Sequence, residues 1–184
     1  MPIRKDVRRL LLGSLIFLVL AAVTGCAAIG GGGERQRLRK ILDGGAPPAH
    51  ELVGCSYASG FFGGETPSLR CVYFVGGDLA AVASAAGARL EREGFTIACR
   101  RSHDRIEISG SDGTTRIDGY TAEGAVTFDE NGDPLDVYPR EFASPPRKLV
   151  PPGSVALELG ADRHAVANAR DDLMPYTVPC RQVR

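Results

Sequence analysis

A run of oxygen-bearing side chains over residues 129–133 (DENGD) has the spacing with which a calcium-binding loop opens. Such a loop also needs a glycine at its sharp turn and a glutamate that closes the site with both oxygens. Pro134 and Arg140 occupy those two places in this chain. The pair Asn131-Gly132 is instead typical of a tight hairpin turn. We therefore predict a hairpin turn at this position and no metal ligand.

Nucleophilic catalysis has no recognisable motif in the chain. The histidines His50, His103 and His164 are scattered among polar residues, and their spacing matches no two-histidine metal motif. Ser111 lies in a glycine-rich turn sequence and not in a G-x-S-x-G elbow. No glycine loop joins a strand to a helix in the pattern that cradles phosphates. The sequence therefore predicts no catalytic residue and no cofactor.

The amino-terminal segment carries the features of an export signal. Arg4, Lys5, Arg8 and Arg9 precede an apolar run of 14 residues, 10–23. A basic start, a short apolar stretch and small residues before the cut define a secretory signal peptide. A transmembrane helix is disfavoured, because crossing a bilayer needs roughly 20 apolar residues. We predict a signal peptide over residues 1–25.

The sequence at the expected cleavage site is Val23-Thr24-Gly25-Cys26, which has the form of a lipobox. On this motif the chain resembles the bacterial lipoproteins. The resemblance implies a diacylglyceryl group on the Cys26 sulfur, cleavage just before Cys26, and an acyl chain such as palmitate on the new amino terminus. It also implies that the lipid on Cys26 holds the protein at the cell membrane, on the extracytoplasmic side.

Four further cysteines follow in the chain: Cys55, Cys71, Cys99 and Cys180. An even number in an exported protein favours two disulfides. Zinc is disfavoured, because no two of these cysteines lie within the short spacing of a zinc knuckle. Of the three possible pairings, we favour Cys55 with Cys71, which closes a glycine- and serine-rich loop. Cys99 would then pair with Cys180 and tie the tail to the sheet.

The loop between the first two of these cysteines carries aromatic side chains among small residues. Tyr57, Phe61 and Phe62 lie in the sequence SYASGFFGG of residues 56–64. Such rings could present an interaction site for a partner or a sugar. Burial of the rings is the favoured alternative, because large apolar side chains usually lie inside and the chain has no tryptophan.

Removal of the signal peptide changes the charge of the protein. The full chain has 22 basic and 22 acidic residues, and residues 1–25 take four basic and one acidic with them, which leaves 18 and 21. A mildly acidic protein has no basic field to gather nucleic acid, so nucleic-acid binding is not expected. The lipid, and not charge, must then provide the attachment to the membrane.

Composition divides the rest of the chain into two parts. Residues 26–50 begin and end with glycine-rich stretches, and we predict a flexible tether that reaches about 25 to 30 Å. Residues 34–42 could form a brief helix within it, or place their basic side chains on lipid headgroups, but a solvated spacer is the favoured interpretation. Residues 51–184 are predicted to form a single extracytoplasmic domain, because they suffice for one core and not for two.

The predicted elements indicate an α+β fold. Strands are expected at 71–75, 95–101, 105–109, 114–121, 125–128 and 155–159, mostly separated by turn residues. Asp78 can cap a helix whose apolar residues share one face and which ends at Gly94. Residues 162–173 could hold a second short helix. We predict a two-layer sandwich of one mainly antiparallel sheet with one principal helix packed across it, stapled by two disulfides.

Two classes of function remain after these considerations. The leading one is a non-catalytic binding or interaction module, anchored by lipid, whose partner is an envelope protein or a cell-wall component. The alternative is an extracytoplasmic hydrolase with an unrecognised site. Such an enzyme would need a concave pocket that brings a histidine, such as His103 or His164, next to an acid.

Overall fold

A computed structural model describes residues 32–58, 66–163 and 177–183 of the chain. Its helices are α1 (Gly32–Gly45) and α2 (Leu79–Arg92), followed at the carboxyl end by a 3-10 turn (Cys180–Gln182). Its strands are β1 (His50–Ala58), β2 (Ser68–Gly76), β3 (Thr96–Ser102), β4 (Arg105–Ser111), β5 (Thr115–Ala122), β6 (Ala125–Phe128), β7 (Pro134–Tyr138), β8 (Arg147–Leu149) and β9 (Ser154–Arg163). Within these ranges, neither helix is long and apolar enough to cross a membrane.

A six-stranded sheet, the main sheet, forms the middle layer of the fold. Its strand order is β1-β2-β9-β5-β4-β3, and every neighbouring pair is antiparallel. Both helices pack on one face of it. A three-stranded sheet, the small sheet, has the order β7-β6-β8 and packs on the other face. The predicted α+β class with a mainly antiparallel sheet is confirmed, and the small sheet adds a layer that the sequence did not predict.

Strand β2 explains why the main sheet is covered on both faces. Cys71 and Tyr73 belong to the core on the helical side, and Val72 and Phe74 belong to the core under the small sheet. Alternate residues of a strand point to opposite faces of the sheet. A continuous apolar run such as 71–75 therefore requires a packed layer on each face of the sheet. Strand β2 is also an interior strand, because it pairs with β1 on one side and β9 on the other.

Helix α2 forms as its sequence predicts. The Asp78 side chain accepts a hydrogen bond from the Ala81 amide at 2.8 Å and caps the first turn. The apolar stripe is buried, with Leu90 fully inside the core. Gly94 follows the last turn with a φ of +97°, a conformation that glycine adopts without strain.

The first helix corrects the prediction of a flexible tether over residues 26–50. Helix α1 covers Gly32–Gly45, and its Leu38 and Leu42 are completely buried in the core between the helices and the main sheet. The glycines that suggested flexibility stand at the ends of this segment, whereas Leu38, Ile41 and Leu42 recur inside it at the spacing of one helix face. The folded domain therefore includes the described residues from Gly32 onward.

Three strands were not predicted, namely β1, β7 and β8. The predicted second helix over 162–173 is wrong at its start, because β9 continues as a strand through Arg163. Residues 164–173 of that prediction lie outside the described residues.

Candidate functional site

Both predicted disulfides are present. Cys55 and Cys71 lie opposite each other on β1 and β2, with their Cα atoms 4.1 Å apart. Cys99 on β3 is bonded to Cys180, with a Cα separation of 4.7 Å. Backbone hydrogen bonds of 2.8 and 2.9 Å between Cys99 and Val178 hold the tail along the outer edge of β3. All four cysteines of the described residues are therefore disulfide-bonded, and none of them has a free thiol that could act as a nucleophile.

The predicted aromatic interaction site is only partly within the described residues. Tyr57 is half-buried against the core on the helical side, and the Arg35 guanidinium lies over its ring at 5.6 Å. Tyr57 therefore contributes to packing between β1 and α1. Phe61 and Phe62 lie outside the described residues, and their proposed role as an interaction site stays a prediction.

The acidic run at residues 129–133 forms the predicted hairpin turn, between β6 and β7. The Asp129 carboxylate accepts hydrogen bonds from the Asn131 and Asp133 amides at 2.9 and 2.8 Å. Gly132 has a φ of +83°. The backbone bond from Asp133 does most to hold the pKa of Asp129 below its usual value. The side chain that resembled the first ligand of a calcium loop thus organises its own turn.

A cleft of about 790 Å³, here called the end cleft, is a large concave surface among the described residues. It lies at the end of the main sheet where β3 turns into β4 and where β9 begins. The loops that lead into and out of the small sheet form its other wall. The lining residues are Gly77, Asp78, Leu79, Arg101, His103, Asp104, Glu123, Gly124, Pro139, Arg140, Glu141, Val150, Pro151, Pro152, Gly153 and Ser154.

The end cleft is lined by side chains of both positive and negative charge. Arg101 and Arg140 bring positive charge, and Asp78, Asp104, Glu123 and Glu141 bring negative charge. All six side chains belong to exposed residues. A wall that carries both signs is suited to a partner that also carries both, such as a peptide segment, and it is unsuited to a purely anionic polymer.

His103 is the one predicted catalytic candidate that the end cleft includes. It occupies the two-residue turn between β3 and β4 with a φ of +35°. Tight hairpin turns require positive φ values, so the turn itself accounts for this unusual backbone. Asp104 and Glu123 line the same cleft. The structure therefore provides the concave pocket with a histidine and acids that a hydrolase would need. His50 lies elsewhere and contacts the Pro47 carbonyl oxygen at 2.7 Å, and His164 lies outside the described residues.

A second polar feature, the carboxylate cluster, lies between the main sheet and the small sheet. Its centre is the Tyr120 hydroxyl on β5, which contacts Glu158 Oε2 on β9 at 2.7 Å and also contacts Asp136 Oδ1 on β7. Arg70 Nε is 3.1 Å from Glu158 Oε1. The Arg105 guanidinium covers the Tyr120 ring at 4.6 Å from the ring centre. The cluster lines a cavity of about 250 Å³.

Tyr120 and its two carboxyl neighbours lack one proton for their contacts if both carboxyl groups are ionised. Tyr120 has one hydroxyl proton and lies against two carboxyl groups, while the Val137 amide donates to Tyr120 Oη at 3.2 Å. If Tyr120 donates to Asp136, the contact with Glu158 requires a proton on Glu158 that is donated to Tyr120 Oη. Burial raises the pKa of Glu158 to about 7, and it outweighs the opposing effects of Tyr120 and Arg70.

The carboxylate cluster joins layers and is not placed to react. The Glu158 side chain is only 4% exposed, with one oxygen bound to Arg70 and the other to Tyr120. A general acid has to come within hydrogen-bond distance of its substrate. Asp136 belongs to the small sheet and Tyr120 to the main sheet, so their contact fixes one sheet on the other.

The carboxylate cluster was not predicted, although the sequence carries one signal of it. Glu158 interrupts the apolar strand sequence Val155-Ala156-Leu157-Glu158-Leu159. A charged residue in a strand that is buried on both faces needs polar partners, and this requirement could have marked Glu158. Its partners Tyr120 and Asp136 could not be named, because they are brought to it by tertiary packing.

The fold and the two polar features define an α+β domain with two disulfides, a mixed-charge cleft at one end and an internal carboxylate cluster. Comparisons with protein-family models, with curated proteins and with solved structures found no significant match.

Proposed function

We propose that this chain is a lipoprotein, anchored through Cys26 at the extracytoplasmic side of the cell membrane, and that it acts as a non-catalytic binding module. Its partner would be an envelope protein or a cell-wall component. The lipobox after a short apolar run supports the anchoring. The end cleft is the observation that carries the binding role, because it is a concave surface of about 790 Å³ that is lined by exposed charged side chains.

The position of the end cleft favours this proposal. Strand β9 begins at Ser154 in the cleft and ends at Arg163, and ten residues of strand span about 30 Å. Helix α1 starts near the far end of the same sheet, where Arg37 donates to the Thr115 hydroxyl at 3.1 Å. Thr115 is paired with Arg163. In a protein that is anchored through the chain before α1, the end cleft lies at the end of the main sheet farther from the anchor. It is then accessible to other components of the envelope.

Photo-crosslinking in the native envelope tests the binding role. A photoreactive amino acid at Glu123, in the end cleft, is expected to capture one defined partner. The same amino acid at Glu130, which is exposed on the turn between β6 and β7, is the matched control and is expected to capture none. Equal capture from both positions, or no capture from Glu123, would contradict binding through the cleft.

Anchoring is tested separately with Cys26→Ala. The natural protein is expected to incorporate labelled palmitate and to sediment with membranes. The variant is expected to lose the label and to leave the membrane fraction, because the charge of the mature chain provides no other strong attachment. Retention of the label in Cys26→Ala would assign the lipid to another position.

A hydrolase remains the second candidate, favoured by the presence of His103, Asp104 and Glu123 in one cleft. His103→Asn tests it, since asparagine tolerates positive φ and keeps the turn. If His103 acts as an acid or base, the variant should lose activity toward cell-wall fragments by on the order of 100-fold or more. Under the leading proposal, neither protein cleaves such fragments, while the crosslink from Glu123 persists in the variant.

A further inference from the structure

The short distance along the chain between Cys26 and α1 restricts how an anchored protein can lie on a membrane. Only residues 27–31 separate Cys26 from Gly32, the first residue of α1. Fully extended, the chain from Cys26 to Gly32 spans at most about 20 Å. An anchor on Cys26 therefore keeps the start of α1 close to the lipid headgroups, in contrast to the long tether that the sequence predicted.

The outer side of α1 is exposed and basic. Helix α1 has four basic residues and two acidic residues, whereas the chain after the signal peptide has fewer basic than acidic residues. Its Leu38 and Leu42 face the core, so the opposite side is presented to the surroundings. Gln36 and Lys40 are exposed on that side. Arg37 is exposed beside them, with one guanidinium nitrogen bound to the Thr115 hydroxyl on β5, and all three line a shallow groove.

Internal contacts hold these basic side chains along the helix. Arg37 is paired with Glu34 at 2.8 Å. Arg39 is paired with Asp43 at 2.8 Å, and Asp43 also accepts a hydrogen bond from Tyr73 at 2.9 Å. The basic surface is therefore part of the folded domain, and it keeps a fixed orientation relative to the main sheet.

We infer that the outer side of α1, with Gln36, Arg37 and Lys40, lies against the membrane and contacts the anionic headgroups of phospholipids. This inference rests on the proposed lipid anchor at Cys26. The anchor brings α1 to the surface, and the positive charge of α1 complements the negative surface of the bilayer. The small sheet, on the opposite face of the main sheet, then points away from the membrane, and the end cleft stays accessible.

The test uses the full-length lipidated protein in vesicles of phosphatidylethanolamine and phosphatidylglycerol. Benzoylphenylalanine is introduced at Gln36 or, as the matched control, at Phe142, which is 74% exposed on the loop between β7 and β8. After irradiation, Gln36 is expected to form a covalent adduct with phospholipid and Phe142 is not. Lys40→Glu should lower the Gln36 adduct about fivefold or more, because one basic side chain near an anionic surface contributes a factor of that order.

Flotation of the vesicles separates the two ways in which the test can fail. If the protein floats with the vesicles but the lipid adduct forms at Phe142, at both positions or at neither, the anchor holds and the inferred orientation is wrong. If the adduct at Gln36 is unchanged by Lys40→Glu, the contact does not depend on headgroup charge. The inferred contact with anionic headgroups is then wrong. If the protein does not float, the proposed anchor fails, and the orientation that rests on it fails with it.

Discussion

Leu42→Ala is expected to lower the free energy of unfolding by about 2 to 5 kcal/mol. Leu42 is completely buried in the core between α1, α2 and the main sheet. Its truncation removes apolar contacts and leaves a cavity that the surrounding helices and strands can close only in part. Denaturant unfolding of the natural protein and the variant measures the change directly. An effect of this size makes α1 an integral part of the domain.

Gln36→Ala is the matched control for this prediction, because Gln36 is exposed on the same helix. Its effect is expected to stay within about 0.5 kcal/mol. Comparable small effects of Leu42→Ala and Gln36→Ala would mean that α1 does not pack on the sheet in solution, and the original prediction of a tether over residues 26–50 would then be restored.

Local sequence signals predicted the elements whose ends are marked by capping or turn residues. Asp78 and Gly94 bound α2, and the turn at His103-Asp104 separates β3 from β4, as expected. The two disulfides were predicted because the predicted export signal favours oxidised cysteines and four cysteines allow only three pairings. These features depend on neighbouring residues or on simple counting, so they could be derived before any tertiary contact was known.

The elements that were missed depend on contacts between distant parts of the chain. Strand β8 has only three residues, Arg147–Leu149, all exposed, and it becomes a strand because β6 lies beside it. Helix α1 is short and flanked by glycine, and its helical state relies on burial of Leu38 and Leu42 under tertiary packing. No local pattern identifies a surface that is created by the rest of the fold.

Functional features divide in the same way into those that a local motif marks and those that tertiary packing creates. The lipobox is a local motif, so Cys26 could be proposed from the sequence alone. The end cleft could not, because it joins the turn at His103, the start of α2 and the loops of the small sheet. Of the aromatic residues that the sequence suggested as an interaction site, Tyr57 instead packs against the core. The structure therefore adds the end cleft as a candidate binding surface, while the role of Phe61 and Phe62, which lie outside the described residues, stays a prediction.

The stability of the protein is expected to fall by about 3 kcal/mol between about pH 4.5 and pH 7 through Glu158 alone. In the folded protein the pKa of Glu158 is about 7, and its ordinary value is 4.5. Between these values the folded protein keeps a proton on Glu158 that the unfolded chain has released. The contribution of Glu158 to the free energy of unfolding is therefore greatest below this pH window. It falls as the pH rises through the window and is constant above it.

The first reason is burial, which disfavours the ionised form of the Glu158 carboxyl and outweighs the Tyr120 hydrogen bond and the Arg70 ion pair that favour it. The negative charges of Asp136 on β7 and Asp118 on β5 act in the same direction as burial. An ionised Glu158 would face Asp136 across Tyr120, whose single proton cannot serve both. The contact between the small sheet and the main sheet is thus weakened by loss of one proton.

Glu158→Gln isolates this effect, because glutamine resembles the protonated carboxyl group in shape and remains neutral. Unfolding is measured for the natural protein and the variant across the pH range, and the difference between them removes the contributions of all other titrating groups. This difference should shift in favour of the variant by about 3 kcal/mol as the pH rises from 4 to 8. Glu130→Gln, an exposed carboxylate on the turn between β6 and β7, should give a difference that does not change with pH to this extent. A flat difference for Glu158→Gln would mean that Glu158 ionises alike in both states, and Glu158 would then not hold a proton against Tyr120 in the folded protein.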